Sequence, residues 1–362
     1  MALGRRAGLR VSRPVRNQMA WETGCLDDLI AADHRVRQVW AWVESLDLSV
    51  FYDVIAAVEG RAGRPPIDPA ILMTLWLYAT LEGVGSARLL ERLCQSDTAY
   101  RWICGGVGVN HHSLSDFRVA AGPMLDELLT RSMAALVAAK IVGVDCLAVD
   151  GVRVRASAGA SSFRSKDRLV ELEDAARRKV ARLREELQSD PAAGTRRAQE
   201  RAAREAEARL ARLEAARKAA EAIEEERRRE AEKQRRRTPK KAKVPRGSTT
   251  DAQARIMSMA DGGYRPAYNL QFKTDPKAQA RAAKDKAKEG PGVRAWRERM
   301  AQQENVDLYR KRFACERPHA DVRNRGLQKL MVRGMERVRA VGLWYVTAYN
   351  FLQIQRLTPQ AA

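Results

Sequence analysis

The chain has 362 residues, with 66 Lys and Arg against 45 Asp and Glu and a formal net charge of +21. That length accommodates two or three domains with at least one sizeable core, and a hydrophobic content of 45% argues against global disorder. The charge favours a polyanionic partner, nucleic acid or an anionic membrane surface, but no run of about 18 apolar residues exists, so no segment is expected to span a bilayer.

Met1 to Asn17 is Arg-rich and lacks the apolar stretch of a secretory signal. It loosely resembles an organelle transit peptide in being basic and acid-poor, and residues 1–20 read as a disordered basic arm. Five scattered cysteines without a CxxC pair fit reduced thiols in a cytosol better than a disulfide framework or a zinc site.

Residues 21–140 read as several short helices. Asp68-Pro69 pairs an N-cap with proline at N1, and Ile71, Leu72, Leu75, Trp76 and Ala79 follow as an apolar stripe. Gly83 and Gly85 end that helix. Ser86 caps the next, with Leu89, Leu90, Leu93 and Cys94 predicted to face inward. Ser113-Leu114-Ser115-Asp116 resembles a capping box for a third helix carrying Phe117 and Arg118. Helix, Gly-containing turn, helix is compatible with a DNA-reading helix-turn-helix and equally with a plain bundle.

The period then changes. Ile141 to Val144 and Cys146 to Val149 are apolar, the latter run leading into Asp150-Gly151, and Val152-Arg153-Val154-Arg155 alternates, as expected of strands. Asp150-Gly151 reads either as a metal-binding carboxylate at the end of a buried strand or as a hairpin turn.

Residues 164–237 are almost entirely Ala, Arg, Glu, Leu and Lys. Leu169, Leu172, Ala176, Val180, Leu183 and Leu187 form a stripe that resumes, after Pro191 and Gly194, at Ala206, Leu210, Leu213, Ala220 and Ile223. This predicts an antiparallel, coiled-coil-like helical hairpin with arms of about 35–45 Å. Its end is basic: residues 227–246 hold seven Arg and four Lys against two Glu, including Arg235, Arg236, Arg237, Lys240 and Lys241. Such a block can grip phosphates, serve as an address, or be a solvated tail.

Tyr264 to Phe272 reads as a strand led in by Asp261-Gly262-Gly263. Residues 276–291 are Lys/Ala-rich, helix returns from Arg294, and an apolar helix from Val338 to Leu352 closes the chain. Within the returning helix, Tyr309, Arg312, Glu316 and Arg323 fall on one face. Guanidinium groups bind phosphate oxygens bidentately and a carboxylate among them can hold a divalent metal, which points to phosphodiester chemistry; a solvated face of i,i+4 ion pairs is the alternative.

Together these blocks resemble bacterial insertion-sequence transposases of the DDE class, in the group with a helical N-terminal domain and a helical insertion after the first aspartate. The residues carrying the resemblance are Gly63 to Pro69 with Leu77-Tyr78, Ala99 to Trp102, His112 to Arg118, Val149-Asp150-Gly151 with Val154-Arg155-Ala156, Tyr264 to Gln271, and Tyr309-x2-Arg312-x3-Glu316-x6-Arg323. The last looks like the family's Tyr-Arg-Glu-Lys pattern with arginine in the lysine position. The resemblance implies a mostly helical α+β chain: a helical DNA-binding domain (21–140) and a ribonuclease-H-like catalytic domain split into 141–163 and 248–357 by the helical insertion (164–247). It implies phosphoryl transfer with two Mg2+ or Mn2+ ions about 3.5–4 Å apart held by three carboxylates, Asp150 the first and Glu316 the third. Tyr309, Arg312 and Arg323 would orient DNA phosphates, with Arg118 and the basic block as further DNA contacts. The implied partners are the element's terminal inverted repeats and further copies of the chain, in the bacterial cytoplasm at the nucleoid and with no membrane involvement.

The sequence departs from the family in one respect. A second catalytic aspartate should end another buried strand beyond Tyr268-Asn269-Leu270-Gln271, yet residues 276–315 contain no β-rich apolar run, and neither Asp285 nor Asp307 ends one; Asp261-Gly262-Gly263-Tyr264 mimics the motif but leads directly into the Tyr-Asn-x-Gln strand, and Asp275 is the other, equally weak, candidate. An internal deletion accounts for this and predicts an incomplete catalytic domain with impaired or absent cleavage. The competing readings are a non-catalytic DNA-binding remnant, inert or inhibitory toward intact relatives, and a basic coiled-coil nucleic-acid-binding protein.

Overall fold

The computed structural model describes residues 25–53, 55, 66–138, 148–189, 193–233, 244–274, 302–303 and 313–357. It is a mostly helical α+β structure. Helices α1 (Arg35–Glu44), α2 (Ser49–Tyr52), α3 (Pro69–Leu81), α4 (Ala87–Ser96), α5 (Thr98–Cys104), α6 (His111–Ala120) and α7 (Gly122–Ala138) come first. Asp68 accepts from the Ala70 N–H and Pro69 occupies the first turn, so α3 starts where its sequence requires.

The stripe predicted for α3 is only part of what it buries. Met73, Leu77 and Leu81 are buried as well, because α1, α5, α6 and a C-terminal helix enclose it. Leu90 is fully buried on α4, whereas Leu89 is exposed. Helix α6 begins at His111, capped by Asn110 Oδ1 accepting from the Ser113 N–H at 2.9 Å, three residues ahead of the predicted cap at Ser113.

The main sheet has three antiparallel strands in the order β1 (Ala148–Arg155), β5 (Tyr264–Thr274), β4 (Arg255–Ser258). Gly262 and Gly263, both at positive φ, make the turn between β4 and β5. The edge of β1 is extended by a parallel bridge from Arg155 to Lys329.

A second, two-stranded sheet pairs β2 (Phe163–Ser165) with β3 (Arg246–Ser248) across the neck of the hairpin formed by α8 (Lys166–Ser189) and α9 (Ala193–Lys233). The arms are antiparallel: Arg184 meets Glu207 at 2.6 Å, Arg177 meets Glu214 at 3.0 Å, Arg217 meets Glu173 at 2.8 Å and Lys166 meets Glu224 at 3.2 Å. Leu169, Val180 and Leu183 are buried against Ala203, Ala206, Leu213, Ala216 and Ala220. At 41 residues α9 extends about 60 Å, longer than expected, because helix already begins at Ala193, ahead of Gly194, and its Ala/Arg/Glu sequence continues unbroken to Lys233.

Helix α10 (Phe313–Asn324) packs on β1 and β5, and α11 (Met335–Leu357) closes the chain. Val338, Val341 and Tyr345 of α11 belong to the core under the sheet, while Trp344, Ala348 and Phe351 belong to the core of α1–α7. An apolar helix between two cores needs no polar face, which is why α11 lacks one.

Candidate active site and nucleic-acid interface

Strand β1 runs through Asp150-Gly151 without turning, so this Asp-Gly pair is not a hairpin turn. Val152 and Val154 are buried on one face and Arg153 is exposed on the other. In register, Asp150 lies opposite Phe272, Val152 opposite Leu270 and Val154 opposite Tyr268. Gly151 leaves room for the Asn269 amide: a Cβ there would fall on the Asn269 side chain. The glycine of Val-Asp-Gly and the asparagine of Tyr-Asn-x-Gln are thus two sides of one close contact.

Helix α10 covers this face. His319 and Val322 are buried, and the rings of His319 and Phe272 lie 5.4 Å apart between centroids. Glu316 precedes His319 by three residues, nearly one turn. In register Asp150 is the partner of Phe272, whose ring meets that of His319, three residues beyond Glu316; the side chains of Asp150 and Glu316 themselves lie outside the described residues.

The C-terminal end of α10 is anchored to the helical core. Arg325 pairs with Asp321 at 2.8 Å and donates to the Leu81 carbonyl at 2.7 Å, placing a cation at the C-terminus of α3. Gly326 and Gly83, both at positive φ, meet so closely that a Cβ on Gly326 would lie 3.1 Å from the Gly83 oxygen. The Tyr345 hydroxyl donates to the Arg325 carbonyl at 3.2 Å, and burial pushes that phenol up to about 12.

Of the residues expected to contact DNA, Arg323 is exposed near the C-terminal end of α10. Tyr309, Arg312, Arg235, Arg236, Arg237, Lys240 and Lys241, like residues 1–20, lie outside the described residues. Arg118 departs from expectation. It is buried, donates to the Gly85 carbonyl at 2.8 Å, and lies 4.5 Å from the centre of the Trp76 ring. Burial lowers its pKa to about 10. Its carbonyl accepts from Trp344 Nε1 at 3.0 Å, so Arg118 ties α6 to α3 and α11 rather than presenting charge to a ligand.

Asp261 belongs to the β4–β5 turn, where it pairs with Arg155 at 2.7 Å and Arg265 at 3.6 Å. Asp251 is buried and accepts from the Tyr268 hydroxyl at 2.7 Å; desolvation, then that hydrogen bond, raises the Tyr268 pKa. Among the described residues no group of three or more His, Cys, Asp or Glu could hold a metal ion, and no helix is long and apolar enough to cross a membrane. Sequence reasoning placed Phe272 on a strand and left His319 an isolated potential ligand, and did not foresee their contact. The only available signal was that Phe272 continues the alternation of Tyr268 and Leu270 while His319 follows Glu316 by one turn.

Residues 24–120 match the family model described as Transposase domain (DUF772). The match ends at Ala120, the last residue of α6, and ties the helical N-terminal region to transposases. No curated protein and no solved structure matches the chain.

Proposed function

We propose that the chain is a DNA transposase of an insertion sequence by descent. It binds the terminal inverted repeats of its element as a homo-oligomer. Asp150 and Glu316 are what remains of a site for Mg2+- or Mn2+-dependent phosphoryl transfer in a ribonuclease-H-like domain, and loss of the second aspartate impairs strand cleavage. The observation that carries this reading is the packing of α10 on β1 and β5 through His319 and Phe272, which supports a common site for the two carboxylates.

The donor set fits the cation in kind: carboxylate oxygens are hard ligands suited to Mg2+ or Mn2+. When bound, such ions neutralise charge on the phosphoryl oxygens and lower the pKa of an attacking water. Asp150 would hold the ion from the strand and Glu316 from the helix. Tyr309, Arg312 and Arg323 would grip phosphates through a phenol and two guanidinium forks, fixing the scissile bond against the carboxylates. The basic block at Arg235, Arg236, Arg237, Lys240 and Lys241 would add sequence-independent affinity. Two carboxylates leave most of an octahedral shell to water, which holds magnesium weakly and underlies the expected impairment.

A second reading, a non-catalytic DNA-binding descendant that is inert or inhibits intact relatives, is favoured by the sequence of residues 276–315, which holds no β-rich apolar run that would end in a further aspartate. A basic nucleic-acid-packaging protein explains neither the spaced face at Tyr309–Arg323 nor the aspartate of β1.

The test is Mg2+- or Mn2+-dependent nicking of DNA bearing the element's ends, with Asp150→Asn and Glu316→Gln as controls and random DNA as competitor. The expected result is preferential binding of the ends with weak or absent nicking. Vigorous nicking lost in both variants would overturn the impairment and reveal a complete site. Equal binding of ends and random DNA would favour the packaging protein.

A further inference from the structure

A second basic feature includes none of the residues assigned to the proposed cleavage site. At the neck of the hairpin, Arg164 of β2, Arg168 of α8, Arg209 and Arg212 of α9, and Arg333 before α11 line a cleft of about 730 Å³. Thr249 and Thr250 add two hydroxyl groups, and no carboxylate is among the lining residues. All five arginines are exposed.

Their charges are largely uncompensated. Among the described residues only Arg168 pairs with a carboxylate, that of Glu171. Arg164 and Arg333 donate to the backbone carbonyls of Ser161 and Ser157, which fixes their direction without neutralising them. Arg209 and Arg212 make no ion pair or hydrogen bond among the described residues, whereas Arg177, Arg184 and Arg217 of the same hairpin bind its glutamates. Five guanidinium groups around one opening repel one another unless an anion enters. Guanidinium forks and hydroxyls match phosphate oxygens. The cleft has no aromatic lining on which bases could stack, so it is suited to the sugar-phosphate backbone rather than to base edges.

The cleft is also continuous with the helical region. Arg333 lines a neighbouring cleft with Arg337, Ser157, and Ser115 and Asp116 of α6. A polyanion leaving the hairpin neck past Arg333 therefore meets Arg337 before it reaches the carboxylate of Asp116 on α6.

We propose that the hairpin neck is a clamp for the phosphate backbone of duplex DNA, distinct from the Tyr309–Arg323 face and indifferent to sequence. The clamp rests on the DNA-binding part of the function proposed above. Its test is the salt dependence of duplex binding by the full chain. The variant pair Arg209→Ala/Arg212→Ala is compared with Arg209→Lys/Arg212→Lys and with Arg182→Ala/Arg196→Ala, which removes equal charge toward the hairpin tip. Loss of two phosphate contacts lowers the slope of log K against log salt by about 1.8, and affinity falls roughly tenfold or more for element ends and random duplex alike. The lysine pair retains most of the slope, and the tip pair leaves it near that of the unaltered chain. Circular dichroism confirms that each variant keeps its helix.

A neck variant that binds with the unaltered slope would overturn the clamp, as would a tip pair that loses as much. If the unaltered chain binds no duplex at low salt, the DNA-binding function and the clamp fall together. If it binds and only the neck variants are silent, the clamp alone falls.

Discussion

Phe272 of β5 meets His319 of α10, with ring centroids 5.4 Å apart and planes inclined at 51°. Phe272 is the register partner of Asp150, and His319 lies one turn from Glu316. This contact is one point at which α10 packs on the sheet, which it touches through both β1 and β5. Phe272→Ala removes an aromatic pair and part of a half-buried side chain, at a cost of about 1–2 kcal/mol. Hydrogen exchange in α10 is expected to accelerate before that in α11. Unchanged protection of α10 would mean that the contact does not hold the helix.

The hairpin carries a buried carboxylate whose titration has a definite sign. Glu173 is buried between Arg177 at 2.7 Å and Arg217 at 2.8 Å. Desolvation raises its pKa, but hydrogen bonds from Arg217 and Arg177 outweigh it, and the folded-state value lies below 4.5. Its stabilising contribution is therefore complete above the ordinary glutamate range and is lost as pH falls through the lower folded value. Melting of the hairpin from pH 7 to pH 3 should show this loss. Glu173→Gln should cost about 2 kcal/mol at pH 7 and flatten the acid limb. An acid limb as steep in the variant as in the original would assign the pH dependence to other groups.

Gly247 lies where β3 crosses α9. A Cβ at that position would fall on the Ala216 carbonyl oxygen, a backbone atom of a packed helix. Gly247→Ala is thus expected to push β3 from α9 and to lower stability by about 1–3 kcal/mol. Thermal unfolding reads the loss, and an unchanged midpoint would show that the neck relaxes freely.

Arg118→Met separates the two roles available to this residue. Removing the guanidinium leaves the Gly85 carbonyl without its donor and strips the Trp76 face, which should cost about 1–3 kcal/mol. The salt slope of DNA binding should stay unchanged in the surviving folded protein. A reduced slope with normal stability would return Arg118 to the DNA surface.

Much of the fold is legible in local sequence. Asp68-Pro69 marks the start of α3, the Leu/Ala stripes mark the two faces of the α8–α9 hairpin, and Gly262-Gly263 marks the turn into β5, because caps, periodicity and positive φ are decided within a few residues. Charge alone already pointed to a polyanion. What only the tertiary structure decided involves residues far apart in the chain. Asp150-Gly151 could be a turn or a strand until β5 paired with it. Arg118 looked like surface charge until α3 and α11 closed over it. Arg209, Arg212 and Arg333 were indistinguishable from any helix-face or loop arginine until the hairpin neck folded against Thr249 and Thr250. Local sequence encodes backbone preference and amphipathic spacing; which charges are buried, paired or left facing one another depends on contacts between residues far apart in the chain, 33 for Arg118 with Gly85 and 226 for Arg118 with Trp344, and those arise only when the cores close.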